Sequence, residues 1–287
     1  MSGRLIIRSI GPDRKTTKRY IQTKQHTLAK GLEVNYMRVL FAGEAWPTIL
    51  LELIGFDAFH MGRFDDYGRW FKDAMRKFAD VDVVHMTNHV AISSFPGSVD
   101  DLNVFDVVML SDIGSNTLVL YPDEYRVPMG PNRLKVIRDY VKQGGGFLMA
   151  GGWYSFSGVT GRAKYHDTAV EEALPVEIDR WDDRVETPEG VTPRILKPTH
   201  QIFKGIPESW PLFMGYNRVK LKKGAELLAE INGDPFITVW EFGDGRAMAL
   251  TSDMAPHWGA GFVKWEHYPQ FWHQTLKWLA AEKTIDD

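Results

Sequence analysis

The 287-residue chain contains no cysteine. That absence removes disulfides, thiolate metal ligands and thiol nucleophiles together. No apolar run approaches the roughly 20 residues that span a bilayer. No apolar stretch near the start has the form of a secretory leader, so none is expected. Charge of one sign is not in excess either. The formal net charge is -3, which gives no general electrostatic case for nucleic acid. HExxH metal spacing, a phosphate loop and a dinucleotide fingerprint are all missing. What remains is an ordinary globular composition, 44% hydrophobic and 25% charged, enough for one sizeable core. The expected setting is cytoplasmic. The expected partner is a small molecule, not nucleic acid or membrane.

The small net charge hides an asymmetry. Residues 1–36 hold eight basic residues against Asp13 and Glu33, a net of +6, which leaves -9 for the rest. This segment has little apolar periodicity. It reads as a basic extension outside the fold, or as sequence upstream of a true first residue at Met37. A basic arm for anionic partners is the functional alternative. The folded domain is expected over residues 37–287.

From Met37 onward, strand and helix signals alternate. Arg38–Ala42, Val81–Met86, Phe105–Leu110 and Phe147–Ala150 are short apolar runs of the buried-strand type. Asp66–Ala79 reads as an amphipathic helix on Trp70, Ala74 and Phe78. Pro131–Gln143 reads as another, with proline at its start, Gly144 past its end, and Leu134, Ile137 and Val141 facing in. Residues 159–235 are proline-rich and irregular, an elaborated region. Phe236–Phe242 and Arg246–Thr251 flank a GDG turn and predict a hairpin. Tyr268–Ala281 is a closing helix. Strands separated by helices imply a mainly parallel sheet between helical layers.

In such sheets ligands bind beyond the carboxyl ends of the strands, near the switch in strand order. That rule selects Glu44 and Trp46 after the first strand and Asp112 after the third. It selects Gly152, Trp153, Tyr154 and Ser155 after the fourth, and Asp253, His257 and Trp258 after the last. Asp253 and His257 are the suggestive pair, because a carboxylate orients an imidazole and sets its tautomer. His257 is read as acid–base and Asp253 as its orienter, with the amides of 152–154 as anion support. Ser155 is a nucleophile only with a base in hydrogen-bond reach. His166 and His200 sit in the elaborated region and are candidates to fold over the site. The tryptophans present flat apolar faces suited to a binding cleft, sugar rings included. Each residue has a duller reading: helix cap for Glu44, turn former for Asp112, structural histidine for His257, edge cover for the tryptophans.

Several stretches together resemble one family. MRVLFAGEAW, GGGFLMAGGWYSFSG, GRAKYHDTAVEEALPV, HQIFKGIP and ALTSDMAPHWG, in that order, are similar to bacterial glutamine amidotransferase-like proteins. These belong to the class I glutamine amidotransferase-like superfamily. The likeness covers residues 37–282 and implies a flavodoxin-like three-layer α/β sandwich with an elaborated C-terminal half. A glutaminase of this kind carries a cysteine on the turn after the fourth strand, with a distant histidine and an acidic partner. The matching turn here is Gly151–Ser155, without a thiol, so the resemblance implies the fold and not the thioester route. Three functions follow as expectations. The first is binding or transformation of a small polar metabolite, sugar-derived in one version. The second is a catalytically silent binding or assembly protein, with a homo-oligomer among its forms. The third is a metal-dependent hydrolase using Asp253, His257 and either Glu44 or His200. No cofactor is assigned.

Overall fold

The computed structural model describes residues 36–121 and 130–281. The basic extension expected over residues 1–36 therefore lies, but for Tyr36, outside the described residues.

β1 (Met37–Gly43) leads into a ribbon of β2 (Ala45–Ile54) and β3 (Asp57–Asp66). Then come α1 (Arg69–Met75), β4 (Val81–Met86), α2 (Asn88–Ser94), α3 (Val99–Leu102), β5 (Val107–Ser111) and α4 (Ser115–Val119). α5 (Arg133–Lys142), β6 (Gly146–Ala150) and α6 (Ala169–Ala173) complete the first half. The elaborated region supplies β7 (Val176–Ile178), β8 (Arg184–Val191), β9 (Arg194–Ile195), β10 (Phe213–Asn217), β11 (Val219–Leu221) and β12 (Glu226–Ile231). The chain ends on β13 (Asp234–Phe242), β14 (Gly245–Leu250), α7 (Pro256–Gly259) and α8 (Tyr268–Leu279).

One sheet of eight strands runs in the order β4-β1-β5-β6-β14-β13-β12-β9. The first five are mutually parallel, and the last three add antiparallel at one edge. Every residue of β1, β5 and β6 is buried, as continuous apolar runs in a covered parallel sheet require. Counting only the parallel strands, the order is the doubly wound 2-1-3-4-5 of flavodoxin-like folds. Its switch point lies between β1 and β5.

Two apolar cores cover the two faces. One packs α1 and α8 through Phe71, Met75, Phe271, Trp272 and Leu276. The other packs α2 and α5 through Val90, Leu134, Ile137 and Tyr140. α5 starts on Asn132, whose side chain accepts from the amides of Leu134 (3.0 Å) and Lys135 (3.3 Å). α1 is shorter than its periodicity predicts and rotated by one position. Its buried residues are Phe71, Ala74 and Met75, while the Arg69 guanidinium lies 4.0 Å over the Trp70 ring. The unpredicted elements include the β2–β3 ribbon and the short helices α2, α3 and α4.

Candidate functional site

Glu44, Asp112 and Asp253 follow the carboxyl ends of β1, β5 and β14 and converge on the switch-point rim. Two of them sit on unusual backbone: Glu44 has φ 54° and Asp112 has φ 43°. The left-handed region costs a side-chain-bearing residue on the order of 1 kcal/mol. Such strain persists where the surroundings over-determine it, and it clusters at ligand sites. Here the surroundings are visible. The Glu44 carbonyl accepts from the amides of Tyr67 (2.7 Å) and Gly68 (3.1 Å). The Asp112 amide donates to Ser155 Oγ (3.1 Å), and its carbonyl accepts from Asn88 Nδ2 (2.7 Å).

All three carboxyl groups are buried. Among the described residues none of them has a Lys or Arg ion pair. Burial pushes the Glu44 carboxyl well above the usual range, and the negative charges of Asp253 and Asp112 push it further. Ser111 Oγ donates to Glu44 Oε1 at 2.5 Å and opposes that shift only in part. Asp112 is pushed up to about 7, first by burial and then by Asp253; a hydrogen bond from the Tyr154 amide (2.7 Å) works in the other direction. Like charges in one dry pocket cannot all be ionised, so the cluster holds protons at neutral pH.

His257 is the half-exposed member. Its Nδ1 lies 3.5 Å from Asp253 Oδ2. Burial lowers its pKa, but the Asp253 carboxylate outweighs that, so the imidazole sits above its ordinary value. Asp253 Oδ1 accepts the Ala255 amide at 2.7 Å. Its Oδ2 is buried and has no hydrogen-bond partner. A buried carboxylate oxygen left open beside a raised imidazole is costly unless a ligand completes it.

The structure gathers Glu44, Asp112, Trp153, Tyr154, Ser155, Asp253 and His257 on this rim. Trp153, 40% exposed, meets His257 edge to face at 5.0 Å between ring centroids. The Arg184 guanidinium lies 4.8 Å over the same indole. Trp258 is elsewhere in role: it is 1% exposed and donates Nε1–H to Glu186 at 2.9 Å, a packed ring and not a face for a ligand. Trp46 lies in β2 at the base of the ribbon, 5.4 Å from the Tyr67 ring.

The anion nest expected at residues 152–154 is filled from within. The Gly152 amide donates to Asn217 Oδ1 (2.9 Å) and the Tyr154 amide to Asp112. Gly152 has φ 150°, and a Cβ there would stand 2.6 Å from the Asp112 carboxyl carbon. Glycine is needed so that the carboxyl can close over the turn, not to admit an anion. Ser155 is buried, and its Oγ is engaged with the Asp112 amide.

The two remaining candidate histidines have other partners. His166 bonds the Ile178 carbonyl through Nδ1 (2.6 Å) and lines an open cleft of about 560 Å³ with Asp167, Glu171, Lys220 and Lys222. His200 packs on Trp278 at 5.7 Å, with Arg246 among the charges facing it. Arg246 lies at the start of β14, second after Gly245, and Asp253 follows its end, so His200 is at the opposite rim. That removes His200 from the expected ligand set. Among the described residues the one group whose ligand atoms all lie within 4.8 Å of each other is His166, Asp167 and Glu171. Glu44, Asp253 and His257 do not form such a group.

Sequence reasoning missed the supports. His85 is buried and stays neutral, its pKa held at about 4 by burial and by Lys72. It donates Nε2–H to the Gly43 carbonyl (2.8 Å) and so fixes the end of β1. Asn217, from β10, holds the Gly152 peptide and Asp183. Nothing in strand or helix periodicity marks either residue.

A family model described as "Putative glutamine amidotransferase" matches residues 38–281. The chain belongs to that family. Two solved members are similar over most of their length. A cytoplasmic protein of Salmonella typhimurium is 38% identical, with a TM-score of 0.80 over 84% of this chain and 98% of its own. A second, from Salmonella typhimurium LT2, is 36% identical, with a TM-score of 0.80 over 85% and 99%. No curated protein matches the chain. The flavodoxin-like fold of the glutamine amidotransferase-like family is thus present, with the region after β6 elaborated as expected. Among the described residues no helix is long and apolar enough to cross a membrane.

Proposed function

We propose that the protein binds a small hydroxyl-rich metabolite at the rim of β1, β5 and β14 and moves a proton on it. We infer also that it does not hydrolyse glutamine through a thioester, since the chain has no thiol to form one. The observation that carries the reading is the orphan Asp253 Oδ2 beside His257. In this reading His257 is the acid–base group. Asp253 faces Nδ1 and stabilises the imidazolium, which leaves Nε2 for the ligand. Asp112, at about 7, is the second group that changes protonation near neutrality. Paired groups with displaced pKa values are the pattern of acid–base chemistry. Glu44 stands behind them as a neutral carboxyl. Trp153 and Tyr154 offer exposed rings to the apolar face of a sugar-like ligand. Ser155 holds the Asp112 backbone and is not the nucleophile. The relatives described as cytoplasmic support a cytoplasmic setting.

A thermal-shift panel of sugars, sugar acids, amino acids and divalent metals tests this. A ligand at 100 times its Kd stabilises the native state by about 2.7 kcal/mol. The expected result is a raised midpoint with a hydroxyl-rich compound, lost in Asp253→Asn and His257→Gln while both variants stay folded. Equal shifts in the variants, or shifts with amino acids or metals alone, count against the reading.

A further inference from the structure

The β2–β3 ribbon is an element without a visible reason to be stable alone. Its strands pair antiparallel over ten residue pairs, from Ala45–Asp66 to Ile54–Asp57, and form a sheet of their own. At 3.3 Å per residue the ribbon is about 33 Å long. Two-stranded ribbons are marginal in water unless a face packs on something. Here neither face is packed along the distal part. Ile49 and Leu53, on one face, are 75% and 73% exposed. Leu51 shares that face by alternation, opposite the short or polar residues Ala58, His60 and Gly62. Leu50, Ile54, Phe59 and Met61 are exposed on the other. Among the described residues both outer edges also lack a strand partner.

A ribbon that leaves so many apolar side chains in water needs an occupant over at least one face. We propose that the occupant is a second copy of this chain, the two ribbons packing on each other about a two-fold axis. Three observations select it. The ribbon spans 22 residues, 45–66, and a stable interface uses about 20–30 residues and ~800 Å² per partner. Eight large apolar side chains of residues 49–62 are exposed, a concentration that marks an interaction surface rather than the scattered apolar residues of a monomer. The one basic residue of the ribbon, Arg63, is ion-paired with Asp65 at 3.0 Å, whereas helices that lie on membranes are rich in Lys and Arg on their polar side. Identical ribbons are self-complementary, and a two-fold pair uses the same patch on both copies and so closes on itself.

The test is the mass of the full chain by sedimentation equilibrium at micromolar concentration. The wild type is expected as a dimer, and the triple variant Ile49→Asp, Leu51→Asp, Leu53→Asp as a folded monomer. A monomeric wild type overturns the proposal, including one that instead co-sediments with anionic vesicles. So does a triple variant that remains dimeric. Should the triple variant fail to fold, the absence of native cysteine allows a second route. Ile49→Cys, Leu51→Cys and Leu53→Cys, made singly and bridged with a short bis-maleimide, are expected to give covalent dimers at one position or more. The exposed Lys197→Cys is expected to give none. Monomer at all three ribbon positions overturns the proposal.

Discussion

Asp112→Asn is expected to make the protein more stable above neutral pH while abolishing ligand binding. The substitution changes little in shape. Asparagine tolerates the left-handed backbone at φ 43°, and its Oδ1 still accepts the Tyr154 amide. What it removes is a buried acid. The native Asp112 titrates at about 7, and an unfolded aspartate near 3.9. The native state therefore binds the extra proton between those values, and stability falls as pH rises through that window. Three units correspond to an upper bound on the order of 4 kcal/mol above pH 7. At roughly 2–4 °C per kcal/mol for a chain of this size, the midpoint at pH 8 should rise by about 10 °C. The advantage should shrink steadily as pH is lowered towards 4. An unchanged or lower midpoint at pH 8 would mean that Asp112 is not held neutral by its surroundings.

Asn217→Ala is expected to act in the opposite direction. Asn217 Oδ1 accepts from the Gly152 amide (2.9 Å), and its Nδ2 donates to the Gly152 carbonyl (3.2 Å) and to Asp183 Oδ1 (2.8 Å). Asp183 is buried, pushed up to about 6 by that burial, and also accepts from the amides of Ser157 (2.8 Å) and Gly158 (2.9 Å). Truncation leaves an amide and a carbonyl of the Gly152 turn without partners and takes one donor from a buried carboxyl. Each orphaned group costs about 1–3 kcal/mol, so a loss of ~4 kcal/mol is expected by urea unfolding. A loss below about 1 kcal/mol would show that the turn after β6 holds its shape without Asn217. Opposite signs from two residues that both touch this turn separate its roles. Asn217 builds the turn, and Asp112 strains it.

The parallel strands and the helices α5 and α8 were legible because their signals are local. Apolar runs of five to seven residues and clear helix termini need no tertiary knowledge. The rim residues were legible for a different reason: the switch-point rule converts strand ends into a location. Glu44, Asp112, Asp253 and His257 followed from it. Their neighbours did not. Asn217 and Asp183 come from the elaborated region, and only the folded chain brings them under the β6 turn. Trp258 was misplaced because position past a strand end does not reveal which way a ring points. Its indole turns inward to Glu186. His200 was expected to fold over the rim and lies at the opposite one, because loop segments carry no periodic signal to fix their course. The ribbon was missed because its apolar run serves no face of the main sheet.

The claim on which the account rests is that Asp112 keeps its proton up to about pH 7. Carbon-13 NMR of protein labelled at the aspartate carboxyl carbons reads this directly across pH 3 to 9. A buried carboxyl resonance titrating near pH 7, absent from Asp112→Asn and displaced in Asp253→Asn, is the predicted result. Aspartate carboxyls that all finish ionising well below neutrality would contradict it.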